Sequence, residues 1–569
     1  MKTLICTLNS KYIHSTLAPW CLFTSCRAYC KKEHSIKVLE GTVNENQERL
    51  FEKIKAERVD AITFSCYIWN IERVLFLCEK IKSDNPGTVI ILGGPEVAYC
   101  QKELLENNSF VDYVLSGEGE IILPELLDLL SSGLSPVKLG GVSFIDNGEL
   151  IIKNEVIGED FGYPSPYCEE YLSSLNGRLA YIESSRGCPF SCAYCLSGRC
   201  GRVRFKELEQ TKAEILLLAS SGARTVKFVD RTFNCNNDRA VEILRFIREK
   251  RGTEIPENVC FHFEISADIL GQSFIDEVAR AKKGSLQFEI GIQSLNADTL
   301  TAIGRRSEKA KLFDNIKKLT KLGNCHIHTD LIAGLPCETI ESFIEGFNEC
   351  CTLGANMLQL GFLKLLHGSP MRENSESYPC VFSKNPPYEI ISTPVMSESD
   401  LSKLRIAEKE VDRLLNSGRF TRTLKLIFES CDLQLFELFY DIGKKLEEGS
   451  LPLDTYTDRL FSVISGYEGI SAEKLRDKML YDRIATNNSG IIPKSLYRND
   501  KRLRQVKHIL SLTFPMKKGT NRSVGILYTE KKVIFCDYGK KDAVTGEYAV
   551  RELPFDFFGE TFFDFDIDK

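Results

Sequence analysis

The chain has 569 residues and 43% hydrophobic residues, enough for three or four domains of about 150 residues each. Its formal net charge of −6 gives no overall attraction to nucleic acid, so a nucleic-acid partner is not expected, although a local basic groove is compatible with it. The sequence contains no apolar run of the roughly 18 residues that a membrane span requires. Twenty-one cysteines without an export signal indicate a reducing cytoplasm.

Residues 1–150 alternate short apolar segments with helical patterns. Such an alternation predicts an α/β, doubly wound (Rossmann-like) domain with a parallel sheet covered on both faces. The predicted strands are Thr3–Thr7, Ile36–Leu39, Ala61–Cys66, Val89–Leu92 and Tyr113–Leu115. A hairpin around Asn147-Gly148 and a proline-containing linker over residues 151–177 follow this domain.

The loops after these strands are candidate ligand contacts, because open α/β sheets bind ligands beyond the carboxyl ends of their strands. Glycines in two of the loops allow a ligand to approach the backbone closely. No Gly-x-Gly-x-x-Gly follows the first strand, so a dinucleotide is not expected. The candidate residues are Asn9, Tyr12, Tyr67, Gly93, Gly94, Glu96, Gly117 and Glu118.

Cys188, Cys192 and Cys195 form a three-cysteine motif in the segment Arg-Gly-Cys-Pro-Phe-Ser-Cys-Ala-Tyr-Cys. Three thiolates can hold three irons of a cubane cluster and leave the fourth iron open, as a catalytic zinc site keeps one open position. A zinc knuckle is the structural alternative. The spacing, with the aromatic Tyr194 before the last cysteine, resembles the radical S-adenosylmethionine (SAM) enzymes.

That resemblance implies a 4Fe–4S cluster on the three cysteines and SAM at the open iron. One electron, from a donor such as flavodoxin or ferredoxin, would cleave SAM to methionine and a 5′-deoxyadenosyl radical. The resemblance also implies that Tyr194 packs on the bound SAM.

Residues 178–372 repeat a strand followed by a helix six times. Six units predict an open, partial (β/α)6 TIM-like barrel with its chemistry at the carboxyl ends of the strands. The predicted strands are Ala180–Ser184, Thr225–Asp230, Cys260–Ser266, Leu286–Gln293, His326–Ile332 and Met357–Leu363.

The strand ends of this barrel resemble the SAM-binding segments of the same family. The resemblance places Asp230 near the SAM amino group, Glu289, Gln293 and Ser294 near the ribose or carboxylate, and Asp330 beside the adenine. Glu289 and Gln293 share one face of a strand, which we place inward. The alternative for each acidic residue is a hydrogen-bond partner inside the barrel.

With the cysteine motif downstream, the Gly-Gly-Pro-Glu and Ser-Gly-Glu-Gly-Glu loops of residues 1–150 resemble those of a cobalamin-binding domain. The sequence has no Asp-x-His-x-x-Gly, the motif that places a histidine on cobalt, and His14 lacks that context. We therefore expect base-off cobalamin without a histidine ligand. A vestigial domain that binds nothing is the alternative.

The resemblance to cobalamin-dependent radical SAM enzymes implies methyl transfer to an unactivated carbon or phosphorus centre. A rearrangement or cyclisation without methyl transfer, and a non-catalytic iron–sulfur and corrinoid binder, are the alternatives. A methylthiotransferase would need a second cluster, for which Cys30, Cys66 and Cys100 are candidates that we interpret as buried apolar residues. The substrate, whether a small molecule or a macromolecule, is not specified by the sequence.

Residues 373–569 predict a mainly helical domain of unknown role with a small terminal β element. Two segments, Val524–Thr529 and Lys532–Asp537, have the composition of adjacent strands. The sequence Ser397-Glu398-Ser399-Asp400 resembles the capping box that begins a helix. We expect the helices to pack on the open side of the barrel.

Overall fold

The computed structural model of the protein describes residues 1–431, 434–446, 449, 451–516, 519–559 and 562–563. Within these ranges no helix is long and apolar enough to cross a membrane.

The first domain is built on a seven-stranded sheet. Its strands are β1 (Lys2–Asn9), β2 (Ser35–Thr42), β3 (Ala61–Ser65), β4 (Val89–Gly93), β5 (Tyr113–Leu115), β6 (Val142–Asp146) and β7 (Glu149–Ile151). The spatial order is β2-β1-β3-β4-β5-β6-β7, parallel from β2 to β5 and antiparallel from there on. From β1 the chain first adds β2 on one side and then crosses back to add β3 on the other side. The topological switch point therefore lies between β1 and β3.

Helices cover both faces of this sheet, as the sequence predicts. They are α1 (Ala18–Tyr29), α2 (Gln47–Glu57), α3 (Ile71–Asp84), α4 (Gln101–Asn107) and α5 (Gly119–Ser131). Helices α1 and α5 share one hydrophobic core, while α2, α3 and α4 pack in another. The predicted hairpin is also present, with Asn147 and Gly148 both at positive φ between β6 and β7.

The second domain is the predicted partial barrel. Its strands are β8 (Leu179–Ile182), β9 (Ser185–Arg186), β10 (Arg204–Phe205), β11 (Thr225–Phe228), β12 (Cys260–Ile265), β13 (Leu286–Gln293), β14 (His326–Ala333) and β15 (Met357–Phe362). Six of them form a parallel sheet in the order β15-β14-β13-β12-β11-β8, and β9 pairs with β10 around the cysteine loop. The helices are α6 (Glu169–Ser173), α7 (Leu208–Ser220), α8 (Asn237–Lys250), α9 (Gln272–Ala279), α10 (Ala297–Ala302), α11 (Lys309–Leu322), α12 (Ile340–Cys351) and α13 (Pro370–Glu373).

The carboxy-terminal region is mainly helical, as expected. Its helices are α14 (Glu398–Glu410), which continues into a π-helical turn (Val411–Asn416), α15 (Thr421–Ser430), α16 (Leu435–Leu446), α17 (Leu453–Ile464), α18 (Ala472–Thr486) and α19 (Arg502–Thr513). Its strands are β16 (Val381–Phe382), β17 (Ile390–Ser392), β18 (Arg522–Leu527), β19 (Lys532–Asp537) and β20 (Arg551–Pro554). The predicted capping box is formed by Ser397 and Asp400, whereas β20 was not predicted.

Both edges of the barrel sheet are covered by other parts of the chain. The Leu179 N–H on β8 donates to the Ile13 carbonyl of the first domain (2.8 Å). At the other edge, the Asn416 side chain bonds both the N–H and the C=O of Leu358 on β15, at 2.9 Å each. Unpaired strand edges attract other chains, and these contacts cover part of each edge.

A buried ion cluster joins the first domain to the cysteine loop. Glu118 begins α5 and accepts hydrogen bonds from Arg186 (2.9 Å), Arg204 and Tyr163. Arg186 also pairs with Glu120 at 2.9 Å. Burial raises the pKa of the Glu118 carboxyl, but the arginines outweigh it and bring that pKa from 4.5 to about 2.

We predict that Glu118→Ala lowers the free energy of unfolding by about 3–5 kcal/mol, because it leaves buried guanidinium groups unpaired. The depressed pKa stabilises the fold above pH 4.5, and this contribution disappears as the pH falls towards 2. Urea unfolding at several pH values measures both effects. Glu170→Ala, which breaks the exposed pair with Arg27, is the control and should leave stability unchanged; equal losses in the two variants would contradict the prediction.

Candidate functional site

A cavity of about 190 Å³ lies between the cysteine loop and the carboxyl ends of the barrel strands. It is lined by Cys188, Phe190, Cys192, Tyr194, Cys195, Ser197, Arg231, Thr232, Glu264, Ile265, Ser266, Glu289, Gly291, Gln293, Arg305 and Asp330. The cavity thus brings together all three cysteines and polar side chains from β12, β13 and β14, at the end of the barrel where such folds carry their chemistry.

Two of the three cysteines contact polar groups that suit a thiolate. The Cys188 Sγ lies 3.4 Å from the Thr232 Oγ1, and the Ser197 N–H donates to the Cys195 Sγ at 3.4 Å. The Ser197 N–H belongs to the chain itself and fixes the Cys195 sulfur without a ligand, whereas either partner can donate in the contact between Cys188 and Thr232. Cysteine binds iron as the thiolate, which such donors stabilise.

The third cysteine, Cys192, lies beside Arg305. Burial raises the pKa of the Cys192 thiol, and the guanidinium, whose Nη1 is 3.9 Å from its Sγ, opposes that rise. Arg305 also donates to the Gly291 carbonyl (2.6 Å), which fixes it between the cysteine loop and β13. Tyr194 is partly buried beside Cys192, and burial raises the pKa of its phenol.

Strand β13 presents Glu289, Gly291 and Gln293 to the cavity, the face that the alternation predicts. Gln293 has a φ of 72°, and a Cβ on Gly291 would lie 2.0 Å from its Nε2, so a larger residue at position 291 would displace this amide. In the described part of the chain, the buried Gln293 Oε1 has no hydrogen-bond partner. An unsatisfied acceptor beside three thiols fits a bound group that carries N–H or O–H donors, as SAM does.

Charged side chains fill the barrel interior below the cysteines. Glu289 accepts from Lys227 and from His262, each at 3.0 Å, and Lys227 lies 3.6 Å from Glu264. Burial raises the pKa of Glu289, but His262 and Lys227 lower it to about 2. On β14, the Asp330 carboxylate lies 2.9 Å from the His328 imidazole. The interior is therefore a paired polar network rather than an apolar core.

Asp230 and Ser294 lie behind the cavity wall instead. Asp230 is fully buried and accepts from the Ser184 N–H (2.7 Å), the Ser184 hydroxyl (2.6 Å) and the Ser185 hydroxyl (2.8 Å). The Ser294 hydroxyl donates to Glu338 at 2.5 Å. Both side chains hold neighbouring segments of the chain and lie outside the cavity lining, whereas Glu289, Gln293 and Asp330 belong to it.

The switch point of the first domain carries exposed aromatic side chains. Tyr67 and Trp69 stack with ring centroids 4.4 Å apart and planes 5° apart. Trp69 is 47% exposed and Tyr12 is 74% exposed. Asn9, by contrast, is buried and donates to Glu40 (3.0 Å). A flat apolar surface at this edge fits the corrin ring of cobalamin.

The loop that carries Tyr12 contacts the start of the barrel, because the Arg178 Nε donates to the Tyr12 carbonyl (3.0 Å). Burial raises the pKa of Tyr67 to about 12. The positive charge of Arg231, which lines the cysteine cavity, partly offsets this rise in pKa. His14 is engaged on this side as well, because its Nδ1 lies 2.7 Å from the Tyr181 hydroxyl of β8. The imidazole is therefore held by the barrel.

The glycine loops serve the fold of the domain itself. Gly94, after Gly93 ends β4, has a φ of 109°, and a Cβ there would lie 2.5 Å from the Cys66 carbonyl. Gly117 has a φ of 101°, and a Cβ there would lie 2.1 Å from the Val156 carbonyl. Both glycines are required by close approaches within the chain.

The two acidic residues of these loops are held by other regions. Glu96 is buried and accepts from the Tyr388 hydroxyl of the carboxy-terminal region. Glu118 is held by the ion cluster described above. Both carboxylates therefore join domains, and their contacts to cobalamin stay predictions.

Three basic residues of the cavity and the barrel interior were not predicted from the sequence: Arg305, Arg231 and Lys227. Lys227 and Arg231 lie on or just after β11, and the alternation of that strand could have indicated them. Arg305 follows α10 and reaches the cavity only through the three-dimensional fold.

Cys30, Cys66 and Cys100 do not form a second cysteine cluster. Cys66 belongs to the core beneath α2, α3 and α4, and Cys100 is close to it, whereas Cys30 packs on the opposite face of the sheet.

Three family profiles match the chain. Residues 5–127 match the B12 binding domain, residues 182–350 match the radical SAM superfamily, and residues 376–521 match a protein family of unknown function, DUF4080. The first two matches cover the domain with the aromatic switch point and the domain with the cysteine cavity.

Curated relatives match about half of the chain. The cobalamin-dependent radical SAM methyltransferase TokK of Streptomyces tokunonensis is 28% identical over 341 residues, which is 56% of this chain and 49% of that one. The 2-(S-pantetheinyl)-carbapenam-3-carboxylate methyltransferase of Streptantibioticus cattleyicolor is 26% identical, over 52% of this chain and 45% of that one. The chain thus spans about half the length of these relatives.

Solved structures show the same fold. The cobalamin-dependent SAM radical enzyme OxsB has a TM-score of 0.59 at 14% identity, over 91% of this chain and 82% of that one. The radical SAM methyltransferase TsrM from Kitasatospora setae has a TM-score of 0.55 at 17% identity, over 68% of this chain and 80% of that one. The chain is a radical SAM protein with an amino-terminal B12-binding domain and a carboxy-terminal DUF4080 domain, and its cofactors are a 4Fe–4S cluster, SAM and cobalamin.

Proposed function

We propose that the protein is a cobalamin-dependent radical SAM methyltransferase that acts on an unactivated carbon or phosphorus centre. One observation carries the proposal: the three-cysteine cavity lies at the carboxyl ends of the barrel strands, and the loop after β1 at the switch point contacts the same barrel through the His14–Tyr181 bond. When bound, the cluster with SAM supplies a 5′-deoxyadenosyl radical, and cobalamin supplies the methyl group.

The residues of the chain have distinct roles in this proposal. Cys188, Cys192 and Cys195 hold the cluster, and Arg305 stabilises the thiolate of Cys192. Gln293 offers its unsatisfied Oε1 to the donors of SAM. These groups bind and orient the reactants.

At the switch point, Tyr67 and Trp69 give the corrin ring a stacked aromatic surface. His14 is bonded to Tyr181, so we place cobalamin in the base-off form without a histidine ligand. A flavodoxin- or ferredoxin-like protein in the cytoplasm would supply the electron.

The two curated relatives support methyl transfer, since both are methyltransferases by name. Methylthiotransferases such as RimO of Clostridium acetobutylicum, 26% identical, also match, but the separation of Cys30 from Cys66 and Cys100 disfavours the second cluster that such a reaction needs. Formation of S-adenosylhomocysteine and methylcobalamin separates methyl transfer from a rearrangement or cyclisation.

We predict that Cys192→Ala abolishes reductive SAM cleavage. Substituting a residue that only supports a metal ligand lowers metal affinity or activity by about 10–100-fold. Removing a ligand itself should therefore lower the activity by more than about 100-fold. The measurement is 5′-deoxyadenosine formation by the anaerobically reconstituted protein with dithionite. Cys431 is a partly exposed cysteine of the carboxy-terminal region, and the control variant Cys431→Ala should retain activity. Parent protein that does not cleave SAM would support a non-catalytic iron–sulfur and corrinoid binder.

We predict that Trp69→Ala weakens hydroxocobalamin binding about tenfold, since a lost aromatic contact of this kind costs about 1.4 kcal/mol. Equilibrium dialysis measures the Kd, and iron content should not change. The control variant Tyr497→Ala removes an aromatic side chain of similar exposure (58%) in the carboxy-terminal region and should bind cobalamin normally. Unchanged affinity in Trp69→Ala would place the corrin elsewhere.

A further inference from the structure

Gln293 lies in a tight turn at the carboxyl end of β13. Its φ is 72°, and the Ser294 N–H donates to the Ile292 carbonyl at 3.0 Å, so these three residues form a γ-turn. The pairing of β13 with β14 shifts its register at the same place, between Gly291 and Gln293. A γ-turn with a positive φ is rare and strained, and such a conformation persists only where the surrounding structure holds it.

The turn decides where the Gln293 amide points. Its Nε2 occupies the space that a Cβ on Gly291 would fill, and the side chain lines the cysteine cavity. Its Oε1 is an acceptor that, in the described ranges, has no hydrogen-bond partner. The proposed function gives this oxygen to the donors of SAM, and any role for the groups that hold the turn rests on that function.

The chain is held on both sides of the turn. Before it, the Arg305 Nη2 donates to the Gly291 carbonyl at 2.6 Å. After it, the Ser294 hydroxyl donates to the Glu338 Oε1 at 2.5 Å, and the same hydroxyl oxygen accepts from the Asn296 N–H at 3.0 Å. Ser294 and Glu338 are both buried, which strengthens the bond between them. The residue that follows the turn is thus fixed by a side chain from another loop.

Glu338 comes from the loop between β14 and α12. A second bond joins the same two regions farther from the turn, because the Asn296 Nδ2 donates to the Ser342 Oγ on α12 at 2.9 Å. Asn296 also caps α10, where its Oδ1 accepts from the Thr299 N–H at 3.0 Å. This second bond fixes the start of α10 against α12, whereas Glu338 holds the residue next to Gln293.

The Glu338 carboxyl is buried with little compensation. In the described part of the chain its Oε2 has no hydrogen-bond partner. Burial raises the pKa of this carboxyl to about 7, and the bond from Ser294 opposes that rise. Burying such a group is costly, and carboxyls with perturbed pKa values concentrate at functional sites. Glu338 is not part of the cavity lining, so its effect on a ligand there passes through Ser294.

We propose that Glu338 is a positioning residue for SAM. Through Ser294 it holds the γ-turn that points the Gln293 Oε1 into the cysteine cavity, so the acceptor is in place before SAM binds. An acceptor already held in the bound geometry loses little conformational freedom on binding, which raises the affinity.

The test measures SAM binding by the anaerobically reconstituted protein, with cobalamin present and without a reductant, so that SAM is not cleaved. Equilibrium dialysis gives the Kd. Glu338→Ala should raise the Kd about tenfold, since it removes one partner of a buried hydrogen bond and releases the turn. Glu345→Ala, at an exposed position on α12, is the matched control and should bind SAM like the parent protein. Cluster iron should stay the same in both variants.

A double variant separates positioning from a general loss of stability. Gln293→Ala should also raise the Kd about tenfold, and adding Glu338→Ala to it should raise the Kd no further, because the turn then has no amide to direct. A general structural role would make the two effects multiply to about a hundredfold. Glu338→Gln keeps a carbonyl oxygen for Ser294 and should restore most of the affinity lost in Glu338→Ala.

Ser294→Ala removes the same bond with a smaller change of volume, so it keeps the proposal testable if Glu338→Ala folds poorly. It should raise the Kd by the same factor. An unchanged Kd in either variant, or effects that multiply in the double variant, would overturn the role of Glu338 while the proposed function stands. Parent protein that binds no SAM would overturn both. Because the dialysis measures no methyl transfer, the absence of a methylated product would contradict the proposed function alone.

Discussion

The carboxylate of Glu118 fixes how the two cofactor domains meet. It is buried with Arg186 and Arg204, and Arg186 is two residues before Cys188 in the chain. A buried ion pair adds little net stability over apolar packing, because desolvation offsets most of the attraction. It does have directional hydrogen bonds, and these tie the cysteine loop to the amino end of α5. The distance between the cysteine cavity and the switch point therefore depends on this contact.

The partial barrel depends on its neighbours in the same way. A six-stranded parallel sheet leaves two unpaired edges, and each edge is completed by a different domain: Ile13 bonds Leu179, and Asn416 bonds Leu358. Because the sheet is not closed on itself, its interior can stay polar, as the Lys227–Glu289 pair shows. Covering the edges from outside leaves the carboxyl ends of the strands available for cofactors.

Much of this fold follows from local patterns. Strict alternation predicts β13 with its observed bounds, Leu286–Gln293, because alternate residues face the helices and the barrel interior. Helix α17 was not predicted: its apolar stripe of Tyr456, Leu460 and Ile464 is interrupted by Thr and Val, which favour strands. Arg305 could not be predicted as a cavity residue, since only the folded barrel brings it from α10 to Cys192.

The acidic residues at the strand ends share one physical feature. A carboxylate at a strand end looks like a ligand contact in a single domain, but burial forces it to find a partner in whichever chain segment packs there. Asp230 takes the serines that precede the cysteine loop, Glu96 takes Tyr388, and Glu118 takes the arginines beside that loop. Glu96 and Glu118 therefore join domains, whereas Asp230 joins two segments of the barrel. Amide and aromatic side chains such as Gln293, with its unsatisfied Oε1, and the exposed Trp69 remain the candidates for cofactor contacts.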